Sequence, residues 1–321
     1  MTVLVPVLAA GMLALLGAQG PPAAPSATGQ GVFRAATELV TLGVTVTDAA
    51  DRQVTGLGPD DFVVLENGKP QSIKFFSAGE APLDVVLLVD TSSSMADKLE
   101  PSRQAAKRFL ATLRPSDRAS IVEFNTQVRV LHGFTSDRDL LERAIDATHA
   151  GGGTALYTGL YVALDHFARL DRAGDGVRKS AIVVLSDGQD TASLLGEEEV
   201  TERARRAGVP LYFISLLSAQ EEQALAVART RRRSTPHDFV LNALARETGA
   251  RAYFPGRLEE LEGVYETVAN ELAQQYMLAY APGDVAADGS FRRILVRVPG
   301  HPGARPRTRA GYYAPGEHAR R

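Results

Sequence analysis

Between residues 84 and 275 the sequence alternates short, predominantly apolar runs with longer stretches of helical periodicity. Apolar runs without alternation indicate strands buried on both faces, as in a parallel sheet covered by helices. The runs are 85–89, 119–124, 181–185, 211–216 and 252–254. The predicted helices are 101–113, 138–147, 156–170, 197–207, 239–248 and 258–274. This rhythm predicts an α/β domain with a doubly wound, mostly parallel sheet of about six strands and helices on both faces.

One pair of strands departs from this alternation. The runs 120–125 and 127–131 are too close together for a crossover helix. We therefore expect them to form an antiparallel hairpin at one edge of the sheet. Gly208 and Gly249 follow two of the predicted helices, where a glycine commonly ends a helix.

Both flanks of the domain have the two-residue period of half-buried strands. Alternation is clear in 40–46 and 291–298, and a further strand is predicted at 276–280. Each flank is too short to bury a core alone. We therefore predict that residues 33–83 and 276–316 form one small β-sandwich-like module, with the domain of residues 84–275 inserted between them. The alternative is two independent additions to the edges of the central sheet.

The first flank also contains a turn signal. Residues 62–65 lead into Asn67 and Gly68, which tolerate the positive φ of a tight type I′ turn. The apolar residues of 73–76 follow. This pattern predicts a hairpin between 62–65 and 73–76.

The N-terminus has the character of an export signal. No Lys, Arg, Asp or Glu precedes Arg34, and residues 3–16 are apolar except for two breaks. Residues 1–20 are therefore predicted to be a signal peptide or an N-terminal membrane anchor, followed by a flexible lead-in at 21–32. We expect an exported protein that is periplasmic, in the cell envelope or secreted, with a possible membrane tether.

Composition excludes several classes of function. The chain has 35 Lys and Arg against 38 Asp and Glu, a net charge of −3, which provides no overall field to attract nucleic acid. The absence of cysteine excludes disulfides, thiolate metal sites and a cysteine nucleophile. The sequence also lacks the phosphate-binding G-x-x-x-x-G-K-[ST] motif and the G-x-S-x-G motif of serine hydrolases.

Polar residues collect where the predicted strands end, which is where open parallel sheets bind ligands. Five of them are candidate metal ligands, with Asp90, Ser92 and Ser94 in one loop, Thr154 after three glycines, and Asp187 at the end of another strand. Carboxylate and hydroxyl oxygens favour Mg²⁺, Mn²⁺ or Ca²⁺. Two carboxylates roughly neutralise a dication while the hydroxyls donate weakly. A cation held in this way would keep a position for an external carboxylate.

These residues resemble the metal ion-dependent adhesion site of the von Willebrand factor type A domain, a D-x-S-x-S loop with a distant Thr and a distant Asp. The resemblance covers about 190 residues and implies an open α/β fold, Mg²⁺ or Mn²⁺ in the site and recognition of a protein partner. It also implies direct ligation by the hydroxyls, with one or both aspartates acting through water. With the predicted signal, the β flanks and the terminal 311–313 segment, the chain is similar to exported von Willebrand type A-related proteins of acidobacteria.

The sequence thus predicts a non-enzymatic, exported binding protein that grips a carboxylate of a protein partner through its cation. One alternative is a structural or assembly factor of the envelope in which the metal only stabilises the fold. A metal-dependent hydrolase is disfavoured because Ser92 stands where a second carboxylate would be needed.

Two further features have alternative interpretations. The arginines at 229 and 231–233 form either a basic rim that attracts an acidic partner or a solvated loop, and the second is favoured. Asp190 is expected to be an exposed loop carboxylate, the alternative being a support for the metal ligands.

Overall fold

The computed structural model describes residues 39–170, 176–217, 235–283 and 288–316. The predicted signal or anchor at 1–20, the lead-in at 21–32 and the arginine run at 229–233 lie outside the described residues. Within the described ranges, no helix is both long enough and apolar enough to cross a membrane.

The described residues form strands and helices in the following order. The strands are β1 Val40–Thr47, β2 Val63–Glu66, β3 Lys69–Gln71, β4 Ile73–Ala78, β5 Leu83–Asp90, β6 Arg118–Phe124, β7 Val128–Thr135, β8 Lys179–Ser186, β9 Leu211–Ser215, β10 Ala252–Tyr253, β11 Tyr276–Tyr280, β12 Phe291–Arg297, β13 Arg305–Arg307 and β14 Gly311–Tyr313. The α-helices are α1 Leu99–Thr112, α2 Arg138–Asp146, α3 Leu156–Ala168, α4 Glu197–Ala207, α5 Pro236–Glu247 and α6 Leu261–Gln274. Short 3₁₀ turns occur at Pro59–Asp61, Ser93–Met95 and Leu258–Glu260.

The central sheet has six strands in the order β10-β9-β8-β5-β6-β7. All neighbours are parallel except β6 and β7, which form the predicted antiparallel hairpin at the edge. Every residue of β5 is buried, because α1, α2 and α6 pack on one face of the sheet and α3, α4 and α5 on the other. The predicted α/β fold is therefore confirmed.

The two flanks pair with each other in two antiparallel sheets, β13-β1-β11-β4 and β14-β12-β2-β3. Strand β1 pairs with β11 and strand β2 with β12, so each sheet contains strands from both ends of the described chain. Alternate apolar side chains of these strands, including Leu42, Val64 and Val296, share one buried core. The predicted β-sandwich from both flanks is confirmed, whereas its domain boundaries remain predictions.

The predicted hairpin between 62–65 and 73–76 is wrong in its second strand. Asn67 and Gly68 do form the turn, with φ of 48° and 80°, but the strand that returns beside β2 is β3. The next strand, β4, crosses to the other sheet and pairs with β11. There Phe76 contacts the rings of Phe62 and Tyr276, with centroids 5.9 and 6.0 Å away. This aromatic cluster packs β4 against the other sheet.

Helix ends follow local signals. Gly208 ends α4 in the left-handed conformation with φ of 62°, as predicted. Helix α5 begins three residues before its predicted start, because Thr235 caps it: Thr235 Oγ1 accepts the Asp238 N–H at 3.2 Å and Asp238 Oδ2 accepts the Thr235 N–H at 2.9 Å.

Candidate metal centre

The parallel pairing of β5 and β8 brings two of the predicted ligands to one edge of the sheet. Val89 lies opposite Leu185, so Asp90 ends its strand beside Ser186 and Asp187. Asp90 Oδ2 accepts a hydrogen bond of 2.5 Å from Ser186 Oγ, and Asp90 Oδ1 accepts the Ser92 N–H at 2.7 Å. The carboxylate of Asp90 is thus fixed by neutral donors from both strands' ends.

The loop after Asp90 carries the two predicted serine ligands. A 3₁₀ turn at Ser93–Met95, anchored by the fully buried Met95, directs their hydroxyls toward each other. Ser92 Oγ and Ser94 Oγ are 3.0 Å apart, and Ser94 Oγ donates to Asp187 Oδ1 at 2.7 Å. Adjacent oxygens around an octahedral Mg²⁺ would be about 2.9 Å apart, given Mg–O distances of about 2.0–2.1 Å. The spacing of these three oxygens is that of ordinary O–H···O hydrogen bonds and is also compatible with ligation of a small hard cation.

The glycine-rich loop docks Thr154 onto the same edge. Gly152 accepts the Ser93 N–H at 3.0 Å through its carbonyl oxygen, and the Gly151 N–H donates to the Thr91 carbonyl at 2.8 Å. Thr154 is buried, and its Oγ1 lies 3.5 Å from the point that a Cβ on Gly188 would occupy. The structure thus brings Asp90, Ser92, Ser94 and Asp187 together through hydrogen bonds and places Thr154 beside the residue that follows Asp187.

Asp190 has a different role from the one expected. It is partly buried, and its Oδ2 accepts the Tyr157 N–H at 2.9 Å at the start of α3 as well as the Ser193 hydroxyl at 2.5 Å. The neighbouring Thr191 hydroxyl accepts the Thr154 N–H at 3.0 Å. The expectation of an exposed carboxylate is therefore wrong: Asp190 caps the helix that follows Thr154, and its loop holds Thr154 in place.

Lys98 also contacts the candidate site, although the sequence did not predict it. Its Nζ lies 2.7 Å from Asp187 Oδ2, and the two side chains are only 5% and 0% exposed. The ammonium compensates the charge of Asp187 directly. Lys98 belongs to no part of the D-x-S-x-S pattern. Its position four residues after Ser94, just before α1, was the only available signal.

Asp90 is in a different electrostatic position from Asp187. It is 0% exposed, and among the described residues no basic side chain lies within ion-pair distance of it. Burial raises the pKa of Asp90 to about 6, and the negative charge of Asp187 acts in the same direction. Asp90 is therefore a buried carboxylate whose charge the surrounding side chains leave uncompensated.

Chemically, the edge offers two carboxylates and three hydroxyls. It differs from a closed calcium cage, in which several carboxylates saturate the ion. Ser94 is exposed to solvent while Ser92 is 2% exposed, so the set of oxygens opens outward on the side of Ser94. These donors fit a divalent cation that is bound on its protein side by the buried oxygens and is accessible to solvent on the side of Ser94.

The family model of the von Willebrand factor type A domain matches residues 84–248, and the chain belongs to this family. Domains of the family often serve as adhesion or protein-interaction modules and are generally non-enzymatic. The matched residues contain every element that positions the candidate metal centre.

Relatives and solved structures agree with this assignment. The chain is 28% identical over 206 residues to the UPF0353 protein of Mycolicibacterium paratuberculosis, covering 60% of this chain and 61% of that protein. It thus spans about 61% of the length of the curated relatives that it matches. The von Willebrand factor type A structure from Catenulispora acidiphila has a TM-score of 0.50 and 12% identity, over 88% of this chain and 74% of that one. Because that share exceeds the part matched by the family model, the likeness in fold extends into the flanking β-sandwich.

Proposed function

We propose that this protein is an exported binding protein that holds a divalent cation, with Mg²⁺ as the preferred ion. The protein would use this cation to bind a carboxylate of a protein partner. The ligands would be Asp90, Ser92, Ser94, Thr154 and Asp187. When bound, the cation supplies an electrophilic position to which an external carboxylate can coordinate. Mn²⁺ and Ca²⁺ are the alternative ions.

The observation that carries the proposal is the buried, uncompensated carboxylate of Asp90. Burying a charge without a partner is costly, and proteins normally pair such a charge or coordinate a metal with it. Asp90 receives hydrogen bonds from Ser186 and Ser92 but no ion pair from the described residues. A chain of hydrogen bonds links Ser92 Oγ, Ser94 Oγ and Asp187 Oδ1, with consecutive oxygens 3.0 and 2.7 Å apart. A dication at this place would supply the missing positive charge.

The surroundings of the site support a role in binding over one in folding alone. Lys98 already compensates Asp187, so that half of the site is electrostatically satisfied without metal. Leu194, in the loop that follows Asp187, is 99% exposed. A solvent-facing hydroxyl at Ser94 and an exposed apolar side chain in an adjoining loop suit a protein partner that combines a carboxylate with an apolar contact.

Metal binding can be tested by calorimetric titration of the full chain with MgCl₂ after treatment with EDTA. Asp90→Asn and Thr154→Ala should lose measurable binding. Ser93→Ala is the matched control, because Ser93 lies in the same loop but is outside the ligand set. Equal affinity of Asp90→Asn and Ser93→Ala for Mg²⁺ would exclude the site.

Partner binding needs a separate experiment. The protein would be immobilised and exposed to the envelope fraction of its own organism in Mg²⁺ or in EDTA. We expect proteins that are retained in Mg²⁺ and released by EDTA, and whose retention is lost when their carboxyl groups are amidated. Binding of Mg²⁺ without any such partner would favour the structural or assembly role, whereas turnover of a phosphoester panel would favour a hydrolase.

Export is part of the proposal and rests on the apolar N-terminal residues that precede the first charged side chain, Arg34. Fractionation of cells expressing the full chain with a C-terminal tag should place it in the periplasm, the envelope or the medium. Recovery in the cytoplasm alone would contradict this part and leave the metal site unaffected.

A further inference from the structure

A cavity of about 390 Å³ lies between the α/β domain and the β-sandwich module. Its walls come from the C-terminal ends of α3 and α4, from the residues just before β8 and β9, and from β1 and the segment that joins β13 to β14. The cavity lies at the amino ends of the parallel strands of the central sheet. The candidate metal ligands lie at their carboxyl ends, since Asp90 is the last residue of β5 and Asp187 directly follows β8. The cavity and the candidate metal centre are therefore at opposite edges of the central sheet.

The cavity is rich in positive charge. Its described lining residues include Arg178, Arg203, Arg206 and Arg309, and none of them is acidic. Hereafter we refer to it as the arginine cavity. Arg178 is committed to Asp84 at 2.8 Å and Arg206 to Glu202 at 2.6 Å. The side chain of Arg206 is 55% exposed, so it marks the side from which solvent can enter.

Arg309 has no such partner. It donates to the Thr41 carbonyl at 3.0 Å and lies over the ring of Tyr312, but no carboxylate of the described residues pairs with it. Burial lowers the pKa of Arg309, yet a guanidinium remains charged at neutral pH. Gly208 permits its position, because a Cβ there would collide with Arg309 Nη1. Arg309 is therefore a partly buried cation that has no acidic partner within the described part of the chain.

Three polar atoms of residues that line the cavity are inaccessible to water and have no hydrogen-bond partner among the described residues. They are Arg203 Nε, Arg309 Nε and Thr308 Oγ1. Arg203 has one carboxylate contact, a long one of 3.3 Å from its Nη2 to Asp165. Because these three atoms are inaccessible to water, they do not themselves face the cavity; the excess of arginine over acidic residues in its lining is what points to an anionic ligand.

We propose that the arginine cavity binds a small organic anion whose carboxylate or phosphate group is held by the guanidinium groups of Arg203 and Arg309. Guanidinium N–H groups are the donors that recognise such oxyanions. The remaining wall includes Leu164, Phe167 and Met277, which suit an apolar body attached to the anionic group. Because the site joins the two modules, bound anion would also tie the β-sandwich to the α/β domain.

The test uses the full chain with two probes, inorganic phosphate and benzoate, at ionic strength held constant with NaCl. Calorimetry and thermal unfolding should show saturable binding of at least one probe. Preference for phosphate or for benzoate identifies which oxyanion the site takes. Arg309→Met and Arg203→Met should each weaken binding about ten-fold or more, as expected for loss of roughly 1.4 kcal/mol.

Two further variants separate this site from general effects of charge and folding. Arg169→Gln removes an 80% exposed arginine at the end of α3 that does not line the cavity, and it should bind the probes normally. Ala207→Trp should block the cavity while keeping every arginine, so it should abolish binding even if Arg309→Met fails to fold. Absence of saturable binding by the wild type, or equal affinity in Arg203→Met, Ala207→Trp and Arg169→Gln, would show a cavity filled by water only.

The proposed metal centre and the arginine cavity are tested independently. Asp90→Asn in EDTA should bind the probes as the wild type does. A probe affinity that fell in Asp90→Asn as much as in Arg203→Met would overturn the assignment of the anion to this cavity.

Discussion

Strand β5 carries a buried aspartate near each end. The negative charge of Asp84 is compensated by two arginines, whereas Asp90 has only neutral hydrogen-bond donors among the described residues. Asp84 and Asp90 are both 0% exposed. At the start of the strand, Asp84 accepts hydrogen bonds from Arg118 Nε at 2.8 Å and Nη2 at 3.1 Å, and from Arg178 Nε at 3.0 Å. At its end, Asp90 receives only neutral donors from the described residues.

The pKa values follow this difference. Burial alone would raise the pKa of Asp84, but its hydrogen bonds to Arg118 and Arg178 and their charges hold it below its ordinary value. Burial raises the pKa of Asp90 to about 6 without any such compensation. Burial of a carboxylate therefore does not by itself mark a functional site. A buried carboxylate that pairs with arginines of the same chain stabilises the fold. A buried carboxylate without such a partner is a candidate ligand for a bound cation.

Removing the two carboxylate charges one at a time should have very different effects on stability. In EDTA, Asp84→Asn should lower the free energy of unfolding by about 3–5 kcal/mol, since it leaves two guanidinium groups without their buried partner. Asp90→Asn should not lower it and is expected to raise it, because the variant removes a buried charge that no side chain of the described residues compensates. Denaturant unfolding at pH 7 measures both. Equal losses in the two variants would show that Asp90 is as fully compensated as Asp84.

Within the candidate metal centre, Lys98 allows the two aspartates, Asp90 and Asp187, to be compared. It pairs with Asp187 but not with Asp90, so Lys98→Met should leave both aspartates uncompensated. We expect a loss of about 2–3 kcal/mol in EDTA. Saturating Mg²⁺ should restore more stability to this variant than to the wild type, because the dication would replace the missing charge. Unfolding with and without MgCl₂ tests this expectation, and equal stabilisation of both proteins would contradict it.

The fold could be predicted, and so could the position of the candidate ligand residues Asp90 and Asp187 at one edge of the sheet, because both depend on local patterns. The unbroken apolar run of β5 requires burial on both faces, and the polar residue that ends such a strand must lie at the sheet edge. Asp90 and Asp187 were found in this way. The turn at Asn67 and Gly68 was found because few residues adopt its positive φ.

The residues that were missed act through contacts between distant parts of the chain. Lys98 has a long side chain whose direction is set only when α1 packs beside β8. Asp190 caps α3 because the loop after β8 passes the start of that helix. Strand β4 joins the sheet of β1 and β11 because its aromatic partner, Tyr276, lies about two hundred residues later in the chain. No local period or motif records such contacts.

The pH dependence of stability gives a smaller test at the Asp84 end. The pKa of Asp84 is below its ordinary value of 3.8 in the folded protein, so the unfolded chain binds more protons in the interval between the two values. The stability that Asp84 provides is therefore complete above pH 3.8 and is lost as the pH falls below it. The difference in unfolding free energy between wild type and Asp84→Asn should shrink over this interval, by at most about 1.4 kcal/mol per pH unit. A difference that stayed constant down to pH 3 would show that the arginines do not favour the charged form.

The smallest expected effect concerns the neutral donors that Asp90 has in place of cations. Ser186 Oγ donates to Asp90 Oδ2 at 2.5 Å, so Ser186→Ala removes one donor without exposing or deleting a charge. In EDTA we expect a loss of about 1 kcal/mol, typical of a single buried hydrogen bond. The affinity for Mg²⁺ should fall less than about ten-fold, since Ser186 would hold a ligand in place without being one. Unfolding and calorimetric titration of Ser186→Ala beside Ser92→Ala measure this difference. If Ser186→Ala lost Mg²⁺ binding as completely as Ser92→Ala, Ser186 would have to be counted among the ligands, and the contrast between the two ends of β5 would rest on a different set of oxygens.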